Sequence, residues 1–113
     1  MKQVEKATDY LISEIKQSNR YIRYQESLEN LKSQKKLFEV FDEFRKKHYK
    51  LNMESEDNFD EMEKLQQNYH DILMNSDVVD FMEATDRLCL MMREIYIKIA
   101  NEVEMDIDFI DQI

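Results

Sequence analysis

Few side chains in this sequence could carry chemistry. There are two histidines, His48 and His70, and one cysteine, Cys89. A helical zinc protease needs His-Glu-x-x-His, and a helical di-iron site needs Glu-x-x-His pairs. Position 45 is Arg45 and position 67 is Gln67, so neither histidine follows a glutamate at that spacing. Histidine ligands normally work in clusters. His48 is therefore read as a structural residue on a helix seam, and His70 as a solvated neighbour of Tyr69. Cys89 lies among Leu88, Met91 and Met92 and is expected to be buried and inert, as free cysteines often are. A lone cysteine forms no intrachain disulfide, which argues against a secreted scaffold.

Weaker constellations lead in the same direction. From Asn52, oxygen-bearing residues fall at loop positions 1, 3, 5, 9 and 12: Asn52, Glu54, Glu56, Asp60 and Glu63. That echoes a calcium loop, but position 6 is Asp57 where the sharp turn needs glycine. An acidic helix start explains the run more simply. Arg20, Arg23 and Glu26 could converge in a small helical enzyme, though nothing singles them out. The basic run Arg45-Lys46-Lys47-His48-Tyr49-Lys50, with Lys32, Lys35 and Lys36 nearby, could meet RNA phosphates. Glu39, Asp42 and Glu43 are interleaved with it, which favours a solvated helix face. No catalytic residue, cofactor or metal is expected, and the chain is read as non-enzymatic.

The elements that position these residues follow from two absences. The 113 residues contain no glycine and no proline, where average usage is roughly 7% and about 5%. Without glycine, tight hairpin turns and phosphate-cradling loops lack the residue they need. The abundant Leu, Met, Glu, Lys and Gln are helix formers. The expected fold is all-α: an antiparallel bundle of about five helices with a long C-terminal helix. Residues 1–104 are read as a single helical domain and 105–113 as an acidic and apolar tail.

Charge is unevenly placed. The chain carries 16 basic and 25 acidic residues, a net of −9, which disfavours general nucleic-acid binding. Residues 16–50 are net +5, whereas 51–113 are net −13. The basic middle could meet the acidic half of another subunit and set its register. Apolar residues make up 42%, enough for a modest core. The longest uninterrupted apolar run is Leu88 to Met92, far short of the ~20 residues of a membrane helix. A cytoplasmic location is expected.

Periodicity predicts helices at about 3–17, 19–33, 34–51, 58–74 and 77–104. Ser18 or Asn19 is a plausible cap for the second. Leu37, Phe41, Phe44, His48 and Leu51 form a heptad-like seam on the third. Phe59, Met62, Leu65, Tyr69 and Ile72 are expected inward on the fourth. The last helix carries two adjacent stripes, Phe81-Thr85-Leu88-Met92-Ile95-Ile99 and Met82-Cys89-Tyr96-Val103. A stripe that wide implies contact on two sides. The eight methionines serve as core fillers in the simpler reading and as an adaptable surface in the other. Candidate partner contacts are Phe38, Phe41, Phe44, Met91, Met92 and Tyr96, the hydrophobic anchors such interfaces use.

Residues 24–31, Tyr-Gln-Glu-Ser-Leu-Glu-Asn-Leu, echo 81–88, Phe-Met-Glu-Ala-Thr-Asp-Arg-Leu. The echo pairs Tyr24 with Phe81, Glu26 with Glu83, Ser27 with Ala84 and Leu31 with Leu88. The small residue of each pair would admit a close helix neighbour. Together with Ser18-x-x-Tyr21-x-x-Tyr24 and the run Asn75 to Leu88, this pattern resembles the YlbF/YmcA family of small bacterial regulators, over roughly residues 3–103. The match is to the short, less characterised branch. The resemblance implies an all-helical, dimerising cytoplasmic protein without enzymatic activity. It also implies association as a homodimer or with a paralogous regulator. By the same resemblance it implies a link to an endoribonuclease Y complex that matures messenger RNA and so affects competence, biofilm formation and sporulation. Some complexes of this family hold iron–sulfur clusters. One cysteine cannot supply the four thiolates of a four-iron cluster, so the cluster is not carried over. The alternative function is an RNA-contacting module using residues 32–50.

Overall fold

With neither glycine nor proline to punctuate the chain, polar side chains and local packing set where its helices stop. The computed structural model describes residues 1–54 and 57–112. Its elements are α1 (Lys2–Gln17), α2 (Asn19–Lys32), α3 (Lys35–Asn52), α4 (Phe59–Asn68), α5 (His70–Leu73) and α6 (Ser76–Glu102), followed by a 3₁₀ turn at Asp108–Gln112. Among the described residues there is no strand. The chain is an all-α bundle with a long last helix, as expected. Glu56 of the calcium-loop echo lies outside the described residues.

Ser18 separates α1 from α2. Its backbone is extended (φ −71°, ψ 151°) and its Oγ accepts from the Tyr21 amide at 3.2 Å. Asn75 does the same for α6, its Oδ1 accepting from the Asp77 and Val78 amides at 2.9 and 3.3 Å. Each cap satisfies donors that a helix start otherwise leaves open. The single helix expected over 58–74 is two. Tyr69 leaves helical geometry (φ −109°, ψ 19°), while its ring packs 5.5 Å from that of Phe44. Its hydroxyl accepts from Lys47 Nζ at 2.8 Å. Tertiary contacts with α3 override the local helical pattern there.

The C-terminus of α6 shows what the lack of glycine costs. The Glu104 amide donates to the Asn101 carbonyl at 3.1 Å and the Met105 amide to that of Ala100 at 2.8 Å. This is a Schellman closure, whose left-handed position glycine usually fills. Here Glu104 fills it, at φ 59°. The turn folds the chain back, and Ile107 and Ala100 are both buried.

Helices α2 and α6 run antiparallel. Arg20 Nη1 donates to the Arg87 carbonyl at one end, and Gln34 Nε2 donates to Asp77 Oδ2 at the other. Ser27 and Ala84, the small residues of the echo, are both buried, and Tyr24 stacks 5.5 Å from Phe81. The echo thus brings its two copies face to face. Leu31, Phe41, Phe44, Leu65, Val78 and Phe81 form the core, contributed by α2, α3, α4 and the first turns of α6. The remainder is an arm of α1 and the distal half of α6. α1 has no buried residue, because only one side of it meets the rest of the chain.

Candidate functional site

The distal arm exposes apolar side chains in order. On α6, Cys89, Met92, Tyr96, Ile99 and Val103 follow one another at spacings of three and four. That is the seam of a coiled-coil helix. Every one of them is exposed, Tyr96 at 51% and Val103 at 67%. The α1 residues Val4, Tyr10 and Ile12 are exposed as well, as is Leu90 on another side of α6. A shallow groove lined by Val4, Ala7, Leu11 and Ile99 joins α1 to the end of α6. Phe81 and Ile99, about five turns apart, lie on the same side of α6: that side is buried at Phe81 and exposed at Met92 and Ile99.

The candidate contact residues divide between core and surface. Phe41 and Phe44 are packed inside the chain's own core, at 2% and 6% exposure, and Phe38 is half-buried. Met91 is half-buried, whereas Met92 and Tyr96 are exposed. Sequence periodicity alone did not place Ile99, Val103 and Cys89 on the outer face. Cys89 was expected in the core. It is exposed because it lies on α6 beyond Phe81, where the core built by α2, α3 and α4 ends. Phe59, expected inward, is 70% exposed, whereas Leu65 further along α4 joins the core.

Arg45 also departs from expectation. It belongs to the basic run, yet its guanidinium lies 5.0 Å over Phe41, 5.5 Å over Phe38 and 5.6 Å over Phe81. Its Nη2 donates to Asp42 Oδ1 at 2.6 Å. That bond to Arg45 holds the Asp42 carboxyl below its usual pKa. Lys46 and Lys47 pair with Asp42 and Glu43 at 3.4 and 3.3 Å, as the i,i+4 spacing predicts. The Tyr69 bond, then Glu43, raises the Lys47 pKa. His48 packs against Phe44 and meets Asn52 at 3.2 Å. His70 is exposed.

Arg20, Arg23 and Arg87 line a groove of about 440 Å³ with Asp80 and Glu83. Glu26 is not among its lining residues, and the groove holds no histidine, cysteine or serine. Among the described residues, no group of three or more His, Cys, Asp or Glu gathers to hold a metal. Among them, no helix is long and apolar enough to cross a membrane.

A family model described as control of competence regulator ComK, YlbF/YmcA, matches residues 4–104. The chain belongs to the YlbF/YmcA family. No curated protein and no solved structure matches it. The match spans every helix described above, from the first turn of α1 to the Schellman closure. The YlbF/YmcA family is a regulatory one, not a known enzyme family.

Proposed function

We propose that this YlbF/YmcA-family protein is a non-enzymatic regulator that acts through protein–protein contact. In this reading it pairs with a second copy or a paralogue through the distal arm. The observation that carries this is the uncovered seam Cys89-Met92-Tyr96-Ile99-Val103 beside the apolar residues of α1. Surface area supports it. The chain exposes 9356 Å², whereas a compact monomer of 13.9 kDa would expose roughly 6,700 Å². Its radius of gyration is 17.7 Å, against about 13 Å for a compact domain of this length. The excess of about 2,700 Å² per chain is large. Burying half of it on each of two chains reaches the area of obligate dimers.

Membership of the family supports the further reading that the pair modulates messenger-RNA maturation by an endoribonuclease Y complex in the cytoplasm, and through it competence. The test is complementation. A strain deleted for the gene is supplied with the wild type or with Tyr96→Glu, and transformation frequency and transcript processing are measured. The wild type should restore both and Tyr96→Glu should restore neither. Full restoration by Tyr96→Glu would contradict the proposal.

RNA contact through residues 32–50 has less support. Arg45, Lys46 and Lys47 are each held by a carboxylate of their own helix, and Arg45 is folded over the core. Filter binding of total RNA at low ionic strength would detect such contact, because phosphate binding strengthens as salt is removed.

A further inference from the structure

The uncovered seam and the core share one side of α6. Phe81 and Ile99 are about five turns apart, and Thr85, Met92 and Val103 fall within a quarter-turn of their line. The Phe81 ring meets that of Phe41 on α3 at 5.9 Å, so α3, α4 and α5 rise on this side as a step above the bare distal half of α6. At the foot of the step, between α3 and α6, is an opening lined by Tyr49, Met82, Thr85 and Asp86. Tyr49 is 67% exposed and Met82 40%. Thr85 stands one turn before Cys89, so the seam runs into this opening.

A second copy can lie on the seam in either direction. In a parallel pair the two steps would meet at the same level and hold the seams apart. In an antiparallel pair centred on Tyr96, each step stands beyond the end of the other arm, and that arm end meets the opening. Charge selects the same direction. Arg45 to Lys50 holds four cations and no acid, whereas residues 101–113 hold five acids and no cation. Asp42, Glu43 and Asp86 reduce the first charge, and Lys2 and Lys6 reduce the second, but neither sign is reversed. The antiparallel pair sets the acidic end of each chain beside the basic half of α3 in the other; the parallel pair sets acid beside acid.

From this shape and charge we infer that the partner on the seam is a second copy laid antiparallel, its arm end seated at the opening against Tyr49, Met82 and Thr85. The opening is then the proximal end of the interface, and Tyr49 is a contact that lies outside the seam. The inference rests on the pairing reading, to which it adds a direction and a surface on α3.

Cys89 reports the direction. An antiparallel pair centred on Tyr96 sets it opposite Val103 of the second copy, while the two copies of Cys89 lie about 21 Å apart along the seam, beyond disulfide reach. Within one chain, Cys89 and Val103 are separated by the same length of helix. The full chain is oxidised with copper phenanthroline at a concentration where it sediments as a dimer, and is read on non-reducing gels. Val103 and Tyr49 are both exposed, so replacing either leaves the fold intact. The expected result is a crosslinked dimer from Val103→Cys, and none from the wild type or from Val103→Cys combined with Cys89→Ser. Tyr49→Glu should raise the dimer dissociation constant about tenfold. The antiparallel direction is overturned, with the pairing reading left standing, if a dimeric wild type crosslinks through Cys89, if Val103→Cys crosslinks without Cys89, or if Val103→Cys gives no crosslink. An unchanged dissociation constant in Tyr49→Glu overturns the contact on α3. A wild type that sediments as a monomer removes the pairing reading and this inference with it.

Discussion

Replacing Arg45 with alanine separates a core residue from a solvated basic one. On composition, Arg45 is one of four cations between residues 45 and 50, and its loss should cost no more than a surface change. The structure makes it a lid over three rings at 5.0 to 5.6 Å. A cation over a ring contributes about 0.5–1 kcal/mol when exposed and about 2 when desolvated. The Arg45 side chain is 38% exposed, so it falls between these limits, and one guanidinium shared by three rings does not count three times. Its methylenes also shield the core. Removing Nε, which is enclosed without a hydrogen-bond acceptor among the described residues, offsets about 1 kcal/mol. With the packing of the methylenes included, the net expected loss is about 1 kcal/mol. With a urea slope of about 1.5 kcal/mol/M, the midpoint falls by roughly 0.7 M. Lys46→Ala is the control: its side chain is 79% exposed and should change stability by less than about 0.5 kcal/mol. Protein concentration is held fixed, because any pairing adds to apparent stability. If Arg45→Ala and Lys46→Ala shift the midpoint equally, the cation is not part of the core.

Glu104→Gly should stabilise the fold. It relieves a left-handed non-glycine residue, a gain of about 0.5–1 kcal/mol after the added freedom of the unfolded chain. Calorimetry should show a melting temperature higher by a few degrees, and a lower one would contradict the closure at the end of α6. Asn75→Ala should cost about 1 kcal/mol by removing the cap of α6, with Asn75→Asp close to neutral; urea melts of the three proteins decide this. Asp42 gives a pH dependence. Its carboxyl is lowered in the folded state by the bond to Arg45, so its contribution is full above the unfolded value near ~3.9. That contribution is lost as pH falls through the lowered folded value. The stability difference between wild type and Asp42→Asn should therefore shrink below pH ~4, and a constant difference would refute the linkage.

The helical class was legible because missing glycine and proline leave few other structures open. The Ser18 cap and the echo of 24–31 in 81–88 were legible because each rests on residue type at fixed spacing. The break at Tyr69 was not, because it comes from a ring and a lysine on α3, distant in sequence. Nor was the outward turn of Cys89. The exposed seam takes Met92 and Ile99 from one predicted stripe of α6 and Cys89, Tyr96 and Val103 from the other, and only the fold shows that the core ends at Phe81. Arg45 was hidden for a related reason: its neighbours are solvated lysines, and only the fold puts Phe81 beneath it. Of the candidate contacts, Met92 and Tyr96 lie on the outer face, while Phe41 and Phe44 were needed inside. Nothing in residue type separates those two uses.

Sedimentation velocity of the intact chain at tens of micromolar is the most direct test of the account. Pairing through the exposed seam predicts a particle of about twice the 13.9 kDa chain mass, and Met92→Glu with Tyr96→Glu should return it to the single-chain mass without loss of helicity. A wild-type protein that sediments as a 13.9 kDa monomer, or a dimer unaffected by the two substitutions, would contradict it.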